Sequence, residues 1–126
     1  SLVTEWDDYK KGKLKGSLSQ MGGTMRLGAQ SCTLMKKTLA YSLYKKNVIS
    51  ERHRHRYEVN NKFVDKFNKT GLVFSGYSGN KDLMEMLELK QHPWYLASQF
   101  HPEFTSSPLK GHPLFNNFIK TAYETK

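Results

Sequence analysis

The chain has 126 residues, of which 37% are hydrophobic and 25% are charged, and its formal net charge at pH 7 is +9. This composition is typical of one globular domain and excludes a disordered tail. The sequence has no apolar run of about 20 residues and no leader-like N-terminus, so we expect neither membrane insertion nor secretion. The single cysteine excludes an internal disulfide and fits a cytoplasmic protein, and the positive charge favours anionic partners such as nucleotides, RNA or acidic surfaces.

The first half of the chain alternates between extended and helical patterns. A short strand is predicted over residues 1–6, and the lysine- and glycine-rich residues 7–20 are predicted to form a mobile basic loop. Extended structure follows over residues 24–35, and near-helical spacing of apolar residues predicts a short helix over residues 38–44.

The second half predicts further helices and strands. Asn60 or Asn61 can cap a helix that carries Phe63 and Phe67 and ends before Gly71. Strands are then predicted over residues 72–76, 83–89 and 94–99, and a closing amphipathic helix over residues 114–123. Helices interspersed among short strands indicate α/β or α+β packing.

Residues 51–60 alternate between two kinds of side chain. On a continuous strand, one face would carry Arg52, Arg54, Arg56 and Glu58, and the other Glu51, His53, His55, Tyr57 and Val59. The arginine face could bind carboxylates in bidentate fashion. Alternatively, these arginines pair with acidic neighbours for structural reasons. His53 and His55 could bind a metal, but the sequence clusters neither a Cys nor a third His with them, so no metal site is predicted.

A possible base and its orienting group lie two residues apart in the segment that contains His101, Pro102 and Glu103. In cysteine and serine acyl-transfer enzymes, a His takes the nucleophile's proton while a carboxylate holds the other ring N–H. A surface His beside a solvated Glu is the alternative. Cys32 is rejected as the nucleophile because it lacks the small flanking residues of a strand-to-helix elbow, and is interpreted as a buried core thiol.

Several segments occur together and in order, and together they resemble the glutaminase domain of CTP synthase. The resemblance runs from about Glu5 to near the C-terminus, and its motifs are residues 21–30, 51–60, 92–94, 100–104 and 112–115. It implies an α/β fold, the C-terminal half of a class I glutaminase with a flavodoxin-like, mixed sheet flanked by helices. Residues 1–126 would then be a partial glutamine amidotransferase domain, with the cysteine elbow and the synthase domain outside this sequence.

The resemblance also implies a reaction. His101 and Glu103 would be the His and Glu of a Cys-His-Glu triad, and Arg56 would help to hold the α-carboxylate of glutamine. The released ammonia would pass to the synthase domain, which uses ATP and Mg²⁺ to convert UTP into CTP in pyrimidine biosynthesis, with GTP as activator and a homo-oligomer, a tetramer, as the full enzyme. The partners would be the rest of the glutaminase domain and the synthase domain, and this chain alone should be inactive.

The alternative is a basic nucleic-acid-binding module or a non-catalytic assembly module. The charge and the possible stacking surfaces of Tyr57, Tyr95 and Phe100 support the first of these. The basic residues are nevertheless spread along the chain from Lys10 to Lys126 instead of forming one stripe, which does not favour nucleic acid.

Overall fold

A computed structural model describes residues 2–5 and 25–126, so the basic loop predicted over residues 7–20 lies outside the described residues. The strands are β1 (Val3–Glu5), β2 (Arg26–Leu34), β3 (Val48–His55), β4 (Tyr57–Val59), β5 (Leu72–Ser78), β6 (Leu83–Leu89) and β7 (Leu96–Ser98). The α-helices are α1 (Leu39–Tyr44), α2 (Val64–Asn68) and α3 (Pro113–Glu124), and two 3-10 helices span Asn61–Phe63 and Pro102–Thr105.

The strands form a five-stranded sheet in the order β3-β2-β5-β6-β7 and a two-stranded pair of β1 with β4. The pairings between the described strands are antiparallel. Strands β2 and β5 pair only through Leu34 opposite Gly76 and the residues beside them. The Arg26 end of β2 is not paired with β5 and curls away from it together with β3. The predicted α/β fold class is confirmed, and most element bounds differ from the prediction by a few residues at the ends.

Side-chain caps explain where the first helix begins. Thr38 Oγ1 accepts a hydrogen bond from the Tyr41 backbone N–H at 3.2 Å. From strand β6, the buried Glu88 carboxylate accepts two more, from the N–H groups of Leu39 at 2.7 Å and Ala40 at 3.1 Å. A carboxylate at this end is also favoured by the helix dipole. The helix is therefore attached to the sheet at its N-terminus.

The other predicted helix boundaries have equally local causes. Asn60 Oδ1 accepts a hydrogen bond from the Lys62 N–H at 3.1 Å, and Gly71 follows α2 with a φ of +86°. His112 Nδ1 accepts a hydrogen bond from the Leu114 N–H at 3.1 Å, at the start of α3. None of the described helices is long and apolar enough to cross a membrane.

The prediction of one continuous strand over residues 51–60 is wrong. The strand breaks at Arg56, because β3 belongs to the five-stranded sheet whereas β4 pairs with β1. The break inverts the alternation, so that Tyr57 is exposed and Glu58 is buried. Glu58 therefore lies on the buried side with His53, and not with the exposed Arg52.

The buried face of the sheet changes from apolar to charged along β2 and β3. At one end Cys32 lies opposite Ile49 and packs in the core, which includes Leu34, Ala40, Met86, Phe100 and Leu114. At the other end Arg26 lies opposite His55, and Gly28 lies opposite His53. The apolar end packs against α1 and α3, while the charged end needs partners of its own.

Candidate active site

His101 and Glu103 are in direct contact. The Nδ1 atom of His101 lies 2.7 Å from Oε1 of Glu103, and the two side chains are 39% and 54% exposed. Because the carboxylate can only accept, Nδ1 carries the proton and Nε2 is left as the basic nitrogen. This is the arrangement of a His base and its orienting carboxylate.

The backbone around His101 fixes where the imidazole stands. Its N–H donates a hydrogen bond to the Arg52 carbonyl oxygen at 2.9 Å, which ties this segment to strand β3. Pro102 then begins the 3-10 helix, with His101 in extended conformation just before it, as predicted from the His-Pro pair. The His101 ring also lies 5.3 Å from the Phe104 ring, centroid to centroid.

The carboxyl group of Glu103 is held in its charged form. Its pKa is lowered, first by a hydrogen bond from its own backbone N–H and then by the hydrogen bond from His101. The group therefore stays an acceptor for the His101 N–H to a lower pH than a free glutamate would.

A groove of about 410 Å³ lies along strand β3 on this side of the molecule. It shares Arg52 and Phe104 with the surroundings of His101, and its other lining residues are Met25, Leu27, His53 and Arg54. Leu27 is 65% exposed and Phe104 is 52% exposed. Exposed apolar side chains such as these, beside the His101–Glu103 pair, are suited to contact with a ligand or a further polypeptide segment.

A second carboxylate, Glu51, connects the 3-10 helix to the rest of the fold. It is buried and accepts hydrogen bonds from Tyr44 Oη at 2.9 Å, Thr105 Oγ1 at 3.0 Å and His112 Nε2 at 2.5 Å. Thr105 belongs to the 3-10 helix that follows His101, and His112 caps α3. Glu51 thus fixes the segment that presents the His101–Glu103 pair.

Arg56 lies in the break between β3 and β4. Its side chain is half-buried, and its Nε atom is buried without a hydrogen-bond partner among the described residues. A buried guanidinium N–H without an acceptor is costly, so an incoming carboxylate would satisfy it. Arg52 and Arg54, by contrast, are exposed on the other face of β3.

The charged end of the sheet holds a buried ionic cluster. Arg26 Nη1 contacts Oε1 of Glu85 directly and Oε1 of Glu58 at 3.3 Å, and its Nη2 donates to Ser78 Oγ at 2.8 Å. Burial raises the pKa of Glu58 to about 7, with the negative charge of Glu85 adding to the effect and Arg26 opposing it.

His53 and His55 complete this cluster. His55 Nδ1 donates to the Tyr57 carbonyl oxygen at 2.9 Å, so its Nε2 is an acceptor, and it receives the Nδ1 proton of His53 at 2.8 Å. Burial, then the nearby Arg26 charge, lowers the pKa of His53 to about 3. Burial also lowers the pKa of His55. Both imidazoles are therefore neutral at pH 7.

Cys32 lies near the C-terminal end of β2, fully buried, and burial raises the pKa of its thiol to about 12. A thiol that holds its proton so firmly is a poor nucleophile, in agreement with its interpretation as a core residue.

Sequence reasoning missed Arg26, Glu58, Glu85 and the Glu51 contacts. Their partners are far apart in sequence, for example 59 residues between Arg26 and Glu85. The sequence did contain one indication of the cluster, since Glu85 and Glu88 interrupt the otherwise apolar strand β6. Both carboxylates are buried, and buried carboxylates need charged or hydrogen-bonding partners.

Comparison with known proteins identifies the family of the chain. The family model for Glutamine amidotransferase class-I matches residues 10–121. The chain is also similar to the solved structure of the glutaminase domain of Trypanosoma brucei CTPS with bound acivicin, at 32% sequence identity and a TM-score of 0.82. The similarity covers 98% of this chain and 46% of that chain, so this chain spans less than half of its length.

The resemblance inferred from the sequence motifs is thus confirmed, and so is the class I glutaminase fold. Because the family match extends over most of the sequence, the chain belongs to the class I glutamine amidotransferase family.

Proposed function

We propose that the chain is part of the glutaminase domain of a CTP synthase, and that it supplies the base, the orienting carboxylate and a contact to the substrate carboxylate. The observation that carries this proposal is the 2.7 Å hydrogen bond between His101 Nδ1 and Glu103 Oε1, which leaves Nε2 of His101 as the base. The half-buried, unpartnered Nε of Arg56 within the described structure supports the third role.

In the proposed reaction, a cysteine thiol from another part of the domain attacks the amide carbon of glutamine. His101 Nε2 takes the thiol proton and delivers it to the departing ammonia, which leaves a thioester on the cysteine. Water then attacks the thioester with His101 again as the base, and glutamate is released. Glu103 keeps the His101 ring in one tautomer throughout, and Arg56 holds the α-carboxylate of glutamine.

The wider role is proposed from the similarity to the T. brucei protein. Ammonia would pass to a synthase domain that uses ATP and Mg²⁺ to convert UTP into CTP, in a cytoplasmic homo-oligomer activated by GTP. The remainder of the glutaminase domain would cover the groove beside His101, where Leu27 and Phe104 are exposed.

The test is a chimera in which this chain replaces the matching part of the T. brucei glutaminase domain. Glutamate release from glutamine is measured, together with thermal unfolding to confirm that the chimera folds. We expect a folded chimera to hydrolyse glutamine and His101→Ala to reduce the rate at least ~100-fold, because general acid–base catalysis contributes that much.

His92→Ala is the matched control, since His92 is exposed and outside the site, and it should keep the activity of the parent chimera. A folded chimera with no glutaminase activity, or equal rates for the two histidine variants, would contradict the proposal.

A further inference from the structure

We propose that His53, His55 and Glu85 form a zinc-binding site within the buried ionic cluster. One ligand atom from each side chain lies within 4.8 Å of the other two. Two imidazoles and a carboxylate are a common zinc ligand set, and they leave a fourth position for water. The sequence did not predict this site because Glu85 comes from β6, far along the chain from the two histidines of β3.

The hydrogen bonds around His55 already orient it as metal-binding histidines are oriented. Its Nδ1–H donates to the Tyr57 carbonyl oxygen at 2.9 Å, so the lone pair of Nε2 points to His53. An outer hydrogen bond of this kind, to a carbonyl oxygen, is the usual companion of a zinc-bound imidazole.

One carboxylate oxygen of Glu85 is hydrogen-bonded within the cluster, and the other could bind an ion. Its Oε1 is engaged by Arg26 and accepts the Ser78 hydroxyl at 2.6 Å. Its Oε2 is buried, without a hydrogen-bond partner among the described residues, and lies 3.6 Å from His53 Nδ1. A buried carboxylate oxygen without a donor calls for an ion or a water molecule.

The spacing suits an ion after a small adjustment. Zinc bonds of about 2.0–2.2 Å at tetrahedral angles place neighbouring ligand atoms roughly 3.3 Å apart. The 3.6 Å separation of His53 Nδ1 from Glu85 Oε2 is close to this value, and the 2.8 Å between the imidazole nitrogens must open slightly. Zinc would replace the proton between the imidazoles, and that proton would move to Nε2 of His53, so His53 stays neutral.

The charges of the cluster also favour a cation. Glu58 and Glu85 are each about 1% exposed, and Arg26 is in contact with both. Among the described residues, two carboxyl groups lie against one guanidinium, so when Glu58 and Glu85 are both ionised the cluster has one negative charge in excess, which a divalent ion offsets. The ion would join β3 to β6, which are not neighbours in the sheet, and so close the curled end where β2 and β5 are unpaired.

The first experiment measures zinc bound by the purified 126-residue chain after chelation and equilibrium dialysis against Zn²⁺. We expect about one zinc per chain and a higher unfolding temperature with zinc than without it. Co²⁺ in place of Zn²⁺ should give the intense visible absorption of a tetrahedral site, a readout that needs no variant and does not depend on glutamine chemistry.

Substitution of the three proposed ligands tests where the zinc ion binds. His53→Gln, Glu85→Gln and the less buried His55→Gln should each lose the bound metal, with circular dichroism used to select the variants that fold. The matched controls His92→Gln and Glu124→Gln are exposed and should keep it.

His101→Gln separates this site from the surface pair of His101 and Glu103. Retention of zinc by that variant supports the buried site, and its loss there would overturn the proposal. Wild-type protein that binds no zinc, or Co²⁺ with only the weak absorption of octahedral coordination, would overturn it too.

Discussion

Replacing Glu51 with alanine should destabilise the whole chain, because three elements share its carboxylate. Tyr44 of α1, Thr105 of the 3-10 helix and His112 at the start of α3 all donate to it, over distances of 2.5–3.0 Å. The substitution removes the acceptor that all three share, and among the described residues it leaves the buried His112 Nε2 with Tyr44 Oη, at 3.3 Å. A hydrogen bond to a charged group contributes about 1.5–3 kcal/mol, so the loss of three, with partial rearrangement, should cost about 3–5 kcal/mol.

The assay is urea unfolding followed by fluorescence and circular dichroism, with thermal unfolding beside it. A loss of 3–5 kcal/mol lowers the unfolding temperature of a domain of this size by roughly 12–20 °C. Glu124→Ala removes an exposed glutamate at the end of α3 and is the matched control, with an expected change within about 0.5 kcal/mol.

If Glu51→Ala does not fold, Thr105→Val carries the test, since it removes one hydrogen bond at a cost of about 1.5–3 kcal/mol. This variant should also alter the NMR signals of the His101 ring, because Thr105 belongs to the 3-10 helix that follows His101. Free energies of unfolding within about 1 kcal/mol of wild type for both Glu51→Ala and Thr105→Val would refute the reasoning.

Four further predictions concern the core and the substrate contact. Gly76→Ala should lower the free energy of unfolding, measured with urea, by about 1–3 kcal/mol, because the new Cβ would lie 2.9 Å from Cys32 Sγ. Ser50→Ala, at an exposed position, is the control and should not lower it. An equal cost for both would contradict this packing argument. Native Cys32 should resist thiol reagents at pH 8 and react on denaturation; rapid native reaction would contradict its burial. Because its pKa rises from 9.0 to about 12 on folding, stability should fall between those pH values, and Cys32→Ala should flatten the decline. In the active chimera, Arg56→Ala should raise KM for glutamine ~10-fold or more, with partial recovery in Arg56→Lys; an unchanged KM would exclude the carboxylate contact.

The elements with local causes could be predicted from sequence. The cap at Asn60 and the αL residue Gly71 are each set by neighbours within a few positions. The contact of His101 with Glu103 is of the same kind, since only two residues separate them and Pro102 fixes the backbone between. Their catalytic roles, like that of Arg56, remain predictions.

What could not be predicted depends on contacts between distant segments. The two faces assigned to residues 51–60 require one flat strand, but pairing of β4 with β1 takes the chain out of the larger sheet at Arg56. The period of two is then interrupted, and Glu58 becomes buried. Similarly, nothing near Arg26 in sequence indicates that its partners are Glu58 and Glu85.

The hydrogen bond from the His101 N–H to the Arg52 carbonyl has a consequence for how this protein could be inhibited. Strand β3 is at the edge of the described sheet, and an edge strand attracts any extended peptide that can pair with it. Here the segment that presents the imidazole occupies part of that edge. A peptide that pairs with β3 at Arg52 must first displace this segment, and would remove the imidazole from its place without ever touching the ring.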